Sequence, residues 1–586
     1  MTDTPLPADG SGAAEDAEAL AEELTGDVAL DGSLMQPGAG ASVMRSSLVM
    51  GAGTVLSRSS GVLRGIALAA ALGAGTVADM FTLGNTLPNV IYILLIGGAL
   101  NAVFIPQLVR HMKDDADGGD GYADRLVTVV GVLLLGVTIV AVLLAPWIVR
   151  IYATSAYTPD QLSLATAFAR FCLPQIFFYG VYAILSQVLN ARGQFGAPMF
   201  APVINNAIAI ATFLAFIVVA GPQAGADGVL EPSQVTLLGV GTTLGVALQA
   251  IVLVPVLVRA RYVYRPRFDW KGVGLRTAGG LAFWTIGLVL VNQVAYAVIV
   301  RLATGVNAGS ESAGLTVAGL TVYTNAHLMF VLPHSVITVS IVAALLPRMS
   351  SAAHDRRFGD LAGDVASGMR SASALIVPAS VGLVVLGTQI GVLLFNYGQT
   401  SIASAQVTGT LAAVFALGLL PFTLYYVILR GWYALEATRT AFYVTIVLNA
   451  LWLLLAIPAF AWVTSLQSGP AALAALAGGY VASYWITLVI AWVILSRRLG
   501  GLQTGTTVRS LARIFAAGLV MLAVMTGGRL LFAQLLPGQS RMHALVIVAV
   551  LGALGCVVYL GAARVLRVSE VSDVLALLRR RVRPRG

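Results

Sequence analysis

The amino-acid sequence predicts an all-α polytopic membrane protein with about fourteen transmembrane helices, and three observations support this class. Of its 586 residues, 58% are hydrophobic and only 10% are charged, whereas soluble globular domains carry about 25% charged residues. Apolar stretches that can cross the hydrocarbon core, which takes about 20 residues, recur from about residue 45 to about residue 568. These stretches are continuous rather than alternating, which favours helices over a closed barrel.

The predicted spans follow one another with short connections. Their approximate limits are 45–72, 76–109, 125–152, 161–190, 198–220, 234–258, 274–303, 314–346, 366–396, 404–430, 440–464, 471–496, 510–536 and 542–566. Because short cytoplasmic loops hold an excess of Lys and Arg, the basic residues test this count independently. The connections after even-numbered spans are rich in Arg, and Arg430 falls at the edge of one of them. The connections after odd-numbered spans are nearly free of basic residues, apart from Arg541, so we expect both termini in the cytoplasm.

The two ends of the chain differ in charge. Residues 1–41 contain nine acidic side chains and no Lys or Arg, which predicts a disordered acidic cytoplasmic tail. No basic region precedes an apolar core there, so this segment is not a secretory signal. Residues 569–586 end in RRRVRPRG and predict a basic cytoplasmic tail that anchors the topology at the anionic inner leaflet.

An internal repeat divides the predicted membrane domain. The stretch LPQIFFYGVYAILSQVLN, from Leu173, is similar in pattern to LPFTLYYVILRGWYALEA, from Leu420, and each precedes a polar turn and an Asn-containing helix. Transporters are commonly built from such related bundles. We therefore expect an N-lobe over residues 42–262, a C-lobe over residues 263–500, and two further helices within residues 501–568.

Three charged residues lie inside the first two predicted spans: Arg58, Arg64 and Asp79. A charge at membrane depth is costly and is by default a functional-site hypothesis. The two arginines are six residues apart, hence about 9 Å along the helix axis and about 120° around it. They are therefore expected to line two walls of a cavity, or one binds a ligand while the other pairs with Asp79. The alternative is structural, with an arginine bound to Asp79 or to helix carbonyls.

Other kinds of site find little support. Cys172 and Cys556 both lie in apolar spans, which disfavours a disulfide, a metal site or a catalytic thiol. No GxxxxGK[ST] loop and no HExxH motif occurs. We expect no cofactor, no metal site and no nucleic-acid partner.

The opening stretch resembles the MurJ (MviN) lipid II flippases of the multidrug/oligosaccharidyl-lipid/polysaccharide exporter superfamily. The motifs that carry the resemblance are SRSSGVLRG from Ser57, GAG at residues 73–75, Asp79 with Phe81, LPN at residues 87–89, NARGQFGAPMFAPVINN and LLPRMS. The resemblance implies two six-helix lobes around a central cavity, with the last two helices forming a groove for a polyprenyl tail. It also implies a transporter of the bacterial cell membrane rather than an enzyme.

A pyrophosphate-linked substrate would explain the charges, because the arginine fork matches phosphate oxygens and stays protonated. The implied substrate-binding residues are Arg58, Arg64, Asp79, Asn89, Arg301 and His327. The chain departs from the family pattern at Tyr92 and Ile93, where some members have a basic pair. It also has His327 where some have an arginine, and Arg301 either replaces the lost charge or extends to the outer interface.

Energy coupling and competing functions stay open at this point. No Asp or Glu lies deep in the seventh to twelfth predicted spans, which disfavours a sodium site there. Coupling to an ion or to the membrane potential is expected, and the ion is unknown. The expected partners are lipid II and membrane lipid, with cell-wall synthesis or division proteins as candidates. The alternative functions are export of another polyprenyl-linked saccharide or an amphipathic drug, and a membrane-embedded glycosyltransferase.

Overall fold

The computed structural model describes residues 40–96, 111, 115, 117–154, 157–221, 224–225, 228–269, 279–312, 318–465, 469–535 and 538–571. Within these residues the chain forms eighteen helices and no strand, which confirms the all-α class. They are α1 (Gly40–Leu72), α2 (Thr76–Ile96), α3 (Asp120–Leu143), α4 (Ala145–Tyr152), α5 (Pro159–Cys172), α6 (Gln175–Ala191), α7 (Gly196–Ala220), α8 (Pro232–Ile251), α9 (Leu253–Arg259), α10 (Gly279–Ser312), α11 (Leu320–His354), α12 (Phe358–Phe395), α13 (Ile402–Ala416), α14 (Leu419–Ala434), α15 (Thr438–Thr464), α16 (Gly469–Leu499), α17 (Thr504–Leu535) and α18 (Arg541–Val565).

Judged by length and composition, fewer of the described helices qualify as membrane spans than the sequence predicts. Among the described residues, eleven helices are long and apolar enough to cross a membrane, or twelve if the bent pair α13 and α14 is one span. Helices α1 and α2 are outside this set, and α2 ends where the described residues end. The count of fourteen stays a prediction. The predicted tails fall largely on residues 1–39 and 572–586, which lie outside the described residues.

The helices pack in the order that the internal repeat suggests. In the first part of the chain, α7 packs against α1 and α8, while α2 packs against α5. In the second part, α12 packs against α11 and α13, and α15 packs against α16 and α10. Helices α17 and α18 pack on each other and on α12, and contacts between the two parts join α10, α11 and α12 to α1 and α2. The exact domain boundaries stay a prediction.

Prolines inside the helices leave carbonyl groups without their helical donor, because proline has no backbone N–H. Aromatic side chains from neighbouring helices supply the missing donor at three of these carbonyls. Tyr182 Oη donates to the Pro198 carbonyl four residues before Pro202, at 2.9 Å. Tyr559 Oη donates to Ala374 O, four residues before Pro378, at 2.7 Å, and Trp485 Nε1 donates to Leu417 O, four residues before Pro421, at 3.1 Å. Because lipid offers no water to an exposed carbonyl, these bonds determine which helices pack together.

Six helices end in the same hydrogen-bonded turn. In each, the residue that follows the cap has a positive φ. The backbone N–H of the residue after that one donates to the carbonyl five positions before it, as in a Schellman motif. The donor and acceptor pairs are Gln194 and Leu189, Tyr262 and Leu257, Arg357 and Ala352, Ala437 and Trp432, Gly501 and Ser496, and Val568 and Ala563. These helices end the even-numbered predicted spans from the fourth to the fourteenth, and basic residues follow their ends.

The hydrogen bond from Tyr559 to the Ala374 carbonyl predicts that substitutions of Tyr559 and Pro378 have coupled effects on stability. Tyr559→Phe leaves the buried Ala374 carbonyl without a donor, so we expect a cost of about 1–3 kcal/mol and a lower melting temperature in detergent. In a Pro378→Ala background, residue 378 regains an N–H for that carbonyl, and the same tyrosine change should cost less. Tyr443→Phe is the matched control, because the Tyr443 side chain is about half exposed. Equal losses in both backgrounds would contradict this account.

Candidate functional site

The two arginines of α1 are both partly buried and have different surroundings. Arg58 lies within electrostatic range of His334 on α11, whereas Arg64 lies within electrostatic range of Tyr179 on α6. This difference agrees with the angular separation of about 120° that a six-residue spacing produces on a helix. The two guanidinium groups are therefore placed as separate contacts rather than as one clamp.

The α1 backbone beside Arg58 is fastened to α7. Asn206 Nδ2 donates to Ser60 Oγ at 2.9 Å and to the Ser57 carbonyl at 3.3 Å, and all three residues are buried. Gly53, one turn earlier, faces Met199 at the start of α7 so closely that a Cβ would lie 2.9 Å from the methionine Cβ. These contacts set the orientation of the α1 face that carries the arginines.

Asp79 is fully buried, and its carboxylate caps the amino end of α11. Leu320 N donates to Asp79 Oδ2 at 3.0 Å, and Thr321 N donates to Oδ1 at 2.7 Å. Asn307 Nδ2 adds a third bond to Oδ2 at 3.0 Å. The first N–H groups of a helix have no partner within it and favour a negative charge, so this carboxylate stabilises α11 from 240 residues away.

This geometry separates Asp79 from the arginines. Within the described residues its oxygens bond to α11 and Asn307, and not to Arg58 or Arg64. Gly319 makes the approach possible, because a Cβ there would lie 1.9 Å from Asp79 Oδ2. These contacts give Asp79 a structural role at the amino end of α11, and its part in substrate binding stays a prediction.

Further contacts at the same end hold the two parts of the bundle together. Gln399 N donates to the Ala70 carbonyl at 3.1 Å, and Thr400 Oγ1 donates to the Ala69 carbonyl at 2.7 Å. Thr82 Oγ1 and Thr321 Oγ1 are 2.9 Å apart. We call the contacts that join residues 69–82 to residues 307–321 and 398–400 the inter-lobe latch. It closes the bundle at the end opposite the basic connections.

The remaining predicted site residues are spread over three places. Asn89 is partly buried on α2, directly after Pro88. Arg301 is exposed, and its Nη1 donates to the carbonyls of Arg150 and Ile151 at 3.1 Å each, where α4 ends. A cation at a helix carboxyl end is favourable, so the contacts of Arg301 are those of a helix cap.

His327 lies in a cluster of aromatic side chains on the second part of the bundle. Its ring centroid is 5.5 Å from that of Phe330, 5.4 Å from Phe415 and 5.9 Å from Tyr480. Its role in binding stays a prediction, as do those of Arg58, Arg64 and Asn89.

The sequence analysis missed a polar group near Arg58. His334 is buried two helical turns after His327, and its Nδ1 is 3.0 Å from Thr423 Oγ1. Tyr426 packs against the His334 ring and also against the guanidinium of Arg430, which lies 4.2 Å from its ring centroid. Arg430 was assigned to a cytoplasmic connection, but the structure buries it completely within α14. Only its place at the end of an apolar span, in VILRGWY, could have indicated this.

The family model described as lipid II flippase MurJ matches residues 68–548 of this chain. The chain belongs to the lipid II flippase MurJ family. A Vibrio cholerae relative named probable lipid II flippase MurJ is 27% identical over 515 residues, covering 83% of this chain and 89% of the relative. A Bdellovibrio bacteriovorus relative of the same name is 28% identical over 551 residues, covering 91% and 96%.

A solved structure shares the fold of this MurJ family member. The structure titled lipid II flippase MurJ, inward closed conformation, has a TM-score of 0.67 and 17% identity, and the match covers 88% of this chain and 98% of the other. The family match begins at residue 68, so it includes Asp79 and the inter-lobe latch but not Arg58 or Arg64. The roles of these two arginines therefore depend on their depth in α1 and on the opening motif.

The Asp79 contact predicts a steric effect of Gly319→Ala. The new methyl group must displace the carboxylate from the amino end of α11, which leaves buried donors unpaired at a cost of about 1–3 kcal/mol. We expect a lower melting temperature in detergent for this variant. Gly478→Ala is the matched control, because a Cβ there meets nothing within 4 Å. In an Asp79→Ala background the effect of Gly319→Ala should fall to the cost of the remaining approach to Asn307 Cβ, at 2.7 Å, and an undiminished loss there would refute the explanation based on the carboxylate.

Proposed function

We propose that this chain is a flippase that moves lipid II, the polyprenyl-pyrophosphate-linked precursor of peptidoglycan, from the inner to the outer leaflet by alternating access. The observation that carries the proposal is the family match over residues 68–548, together with a fold that matches a solved MurJ structure over most of both chains. Its activity is transport rather than enzymatic catalysis. The protein is a multi-pass membrane protein.

The charges of α1 suit this substrate. A pyrophosphate that crosses about 30 Å of hydrocarbon needs cationic hydrogen-bond donors along its way. Arg58 and Arg64 supply two such donors on the helix that lies between the two parts of the bundle, where α1 contacts α7, α11 and α12. We propose that they bind the head group in sequence or together from two sides, with Asn89 and His327 as further contacts.

The inter-lobe latch supports alternating access. It joins the two parts at one end of the bundle through hydrogen bonds and close backbone approaches, beside buried apolar side chains from both parts. Such contacts can open and close as a unit when the two parts rock against each other. We propose that the latched end faces the outside, because the basic connections at the other end belong in the cytoplasm. Both termini then lie in the cytoplasm.

The driving force is proposed to be the membrane potential. Moving one elementary charge across it is worth about 2.3 kcal/mol per 100 mV, and the α1 site is cationic. In the second part of the bundle, the amides of Asn292 and Asn449 bond to each other, with Nδ2 and Oδ1 2.7 Å apart. Membrane lipid and cell-wall synthesis or division proteins remain proposed partners.

The arginine assignment is tested in cells depleted of the protein. Depletion should make lipid II accumulate where it is inaccessible from outside. Arg58→Ala and Arg64→Ala should each fail to restore outer exposure of lipid II while the protein is present in the membrane at its normal level. Arg498→Ala, a change of an exposed arginine at the end of α16, is the matched control. Full restoration by both α1 variants would remove the support for this site, and normal exposure after depletion would refute the flippase function.

The latch is tested by a reversible cross-link. A Thr82→Cys/Thr321→Cys variant joins the two parts of the bundle at side chains whose oxygens are 2.9 Å apart. Oxidation should stop lipid II translocation, and reduction should restore it. The matched control is Thr388→Cys/Thr410→Cys, a pair 3.3 Å apart that joins α12 to α13 within one part of the bundle. Translocation that continues with the Thr82–Thr321 pair fully cross-linked would contradict alternating access through this end.

A further inference from the structure

The chain between α9 and α10 begins with Arg261, a turn residue with φ 60°, and continues as an extended segment over residues 262–269 that is fastened across the start of α3; we call residues 261–269 the strap. Tyr262 Oη donates to Asp124 Oδ1 at 2.9 Å, and the backbone N–H of Arg265 donates to the same oxygen at 3.1 Å. The backbone N–H of Arg267 donates to Thr128 Oγ1 at 3.0 Å. Arg125 Nε binds Asp269 Oδ2 at 2.8 Å. The strap is thus held in one conformation along its length.

These contacts orient the side chains of the strap. Tyr262 is buried and Tyr264 Oη is 2.8 Å from Thr128 Oγ1, so the even-numbered tyrosines face α3. Because successive side chains of an extended chain point to opposite sides, Val263 and Arg265 face away, about 7 Å apart. Both are exposed, and so are Arg261 in the turn before them and Arg259 at the end of α9.

The outward side of the strap is basic and incompletely neutralised. Arg125 pairs with Asp269, and Arg267 lies within electrostatic range of Asp117. Within the described residues, Arg259, Arg261 and Arg265 form no ion pair. Val263 adds exposed apolar surface, with 61% of its surface accessible.

The start of the chain lies at this end of the bundle. Gly53 on α1 contacts Met199 at the start of α7. The turn before α7 carries Arg192, whose guanidinium stacks on the Tyr262 ring at 4.6 Å. Residues 1–39 precede α1, and a flexible chain of that length has an end-to-end distance of roughly 35 Å. They can therefore reach the strap without leaving this side of the protein.

The composition of that segment complements the strap. It contains nine acidic residues and no Lys or Arg, and the stretch EDAEALAEEL combines five carboxylates with two leucines. Oppositely charged surfaces steer association and set its register. A tethered segment also has an effective concentration in the millimolar range, which favours it over a free acidic protein.

We propose that the acidic amino-terminal segment, residues 1–39, docks on the outward side of the strap through its carboxylates and the guanidinium groups of Arg259, Arg261 and Arg265. The leucines pack against Val263. This contact is independent of the proposed lipid II transport, and its test does not depend on transport activity.

The test uses the full-length protein in single-copy nanodiscs that contain phosphatidylglycerol, with the photo-cross-linker p-benzoylphenylalanine in place of Val263. Mass spectrometry should find cross-links to peptides from residues 1–39. The matched position is Val229, an exposed valine in the connection between α7 and α8, which should give none. Raising the salt from about 0.1 M to about 1 M shortens the Debye length from about 10 Å to about 3 Å and should weaken the cross-link.

Charge variants identify the partners. Changing Arg259, Arg261 and Arg265 to Gln should reduce the cross-link about fivefold, the size expected when three exposed ion pairs are lost. Changing the exposed Arg497, Arg498 and Arg509 to Gln removes the same charge elsewhere and should have no such effect. Glu substitutions at the three strap arginines, combined with Arg at Glu15, Glu18 and Glu22, should restore the cross-link.

Two outcomes overturn the proposal. One is a Val263 cross-link to residues 1–39 that is unchanged by the strap variants or equal to that at Val229. The other is a cross-link only to phosphatidylglycerol that does not respond to neutralising the carboxylates of residues 15–23, which would make the strap a lipid-binding surface. The Gln variants of the strap are scored only if their melting temperature matches that of the parent protein. If the melting temperature differs, the test is the variant with Glu at the three strap arginines and Arg at Glu15, Glu18 and Glu22.

Discussion

The absence of water in the hydrocarbon core is the constraint on which this structure depends. A carbonyl or N–H that its own helix leaves unpaired must find a partner in another helix, because lipid offers none. Tyr182, Trp485 and Tyr559 satisfy carbonyls that prolines have freed, and Asp79 satisfies the first N–H groups of α11. Each of these contacts joins helices that lie side by side.

The Asp79 contact shows how one carboxylate can join two halves of a transporter. It binds the amino end of a helix 240 residues later in the chain, and Gly319 leaves the space it needs. Thr82, Gln399 and Thr400 add bonds around it, so the closed end is held by several modest interactions. Bonds of this kind are individually worth about 1 kcal/mol, which suits an interface that must open and close during transport.

The proposed cationic site draws on two kinds of residue. Arg58 and Arg64 are visible in the sequence because a charge in an apolar span is rare. His334 comes within electrostatic range of both Arg58 and Arg430 only through the packing of α11 and α14 in the bundle. Tyr426 packs against His334 and Arg430, so the cation of Arg430 is held by an aromatic face within the protein.

The sequence by itself determined the all-α class, the approximate position of most helices and the place of two arginines within the apolar helix α1, because hydropathy and helix periodicity are local properties. The resemblance in its opening motif and the internal repeat also led to the correct family. Only the tertiary structure decided that Asp79 caps α11, that Arg301 caps α4, and that Arg430 is buried rather than part of a connection. Each of these depends on which distant helix supplies the partner, and hydropathy carries no information about partners. The same applies to the strap, whose basic side becomes defined only when Tyr262 and Tyr264 turn towards α3.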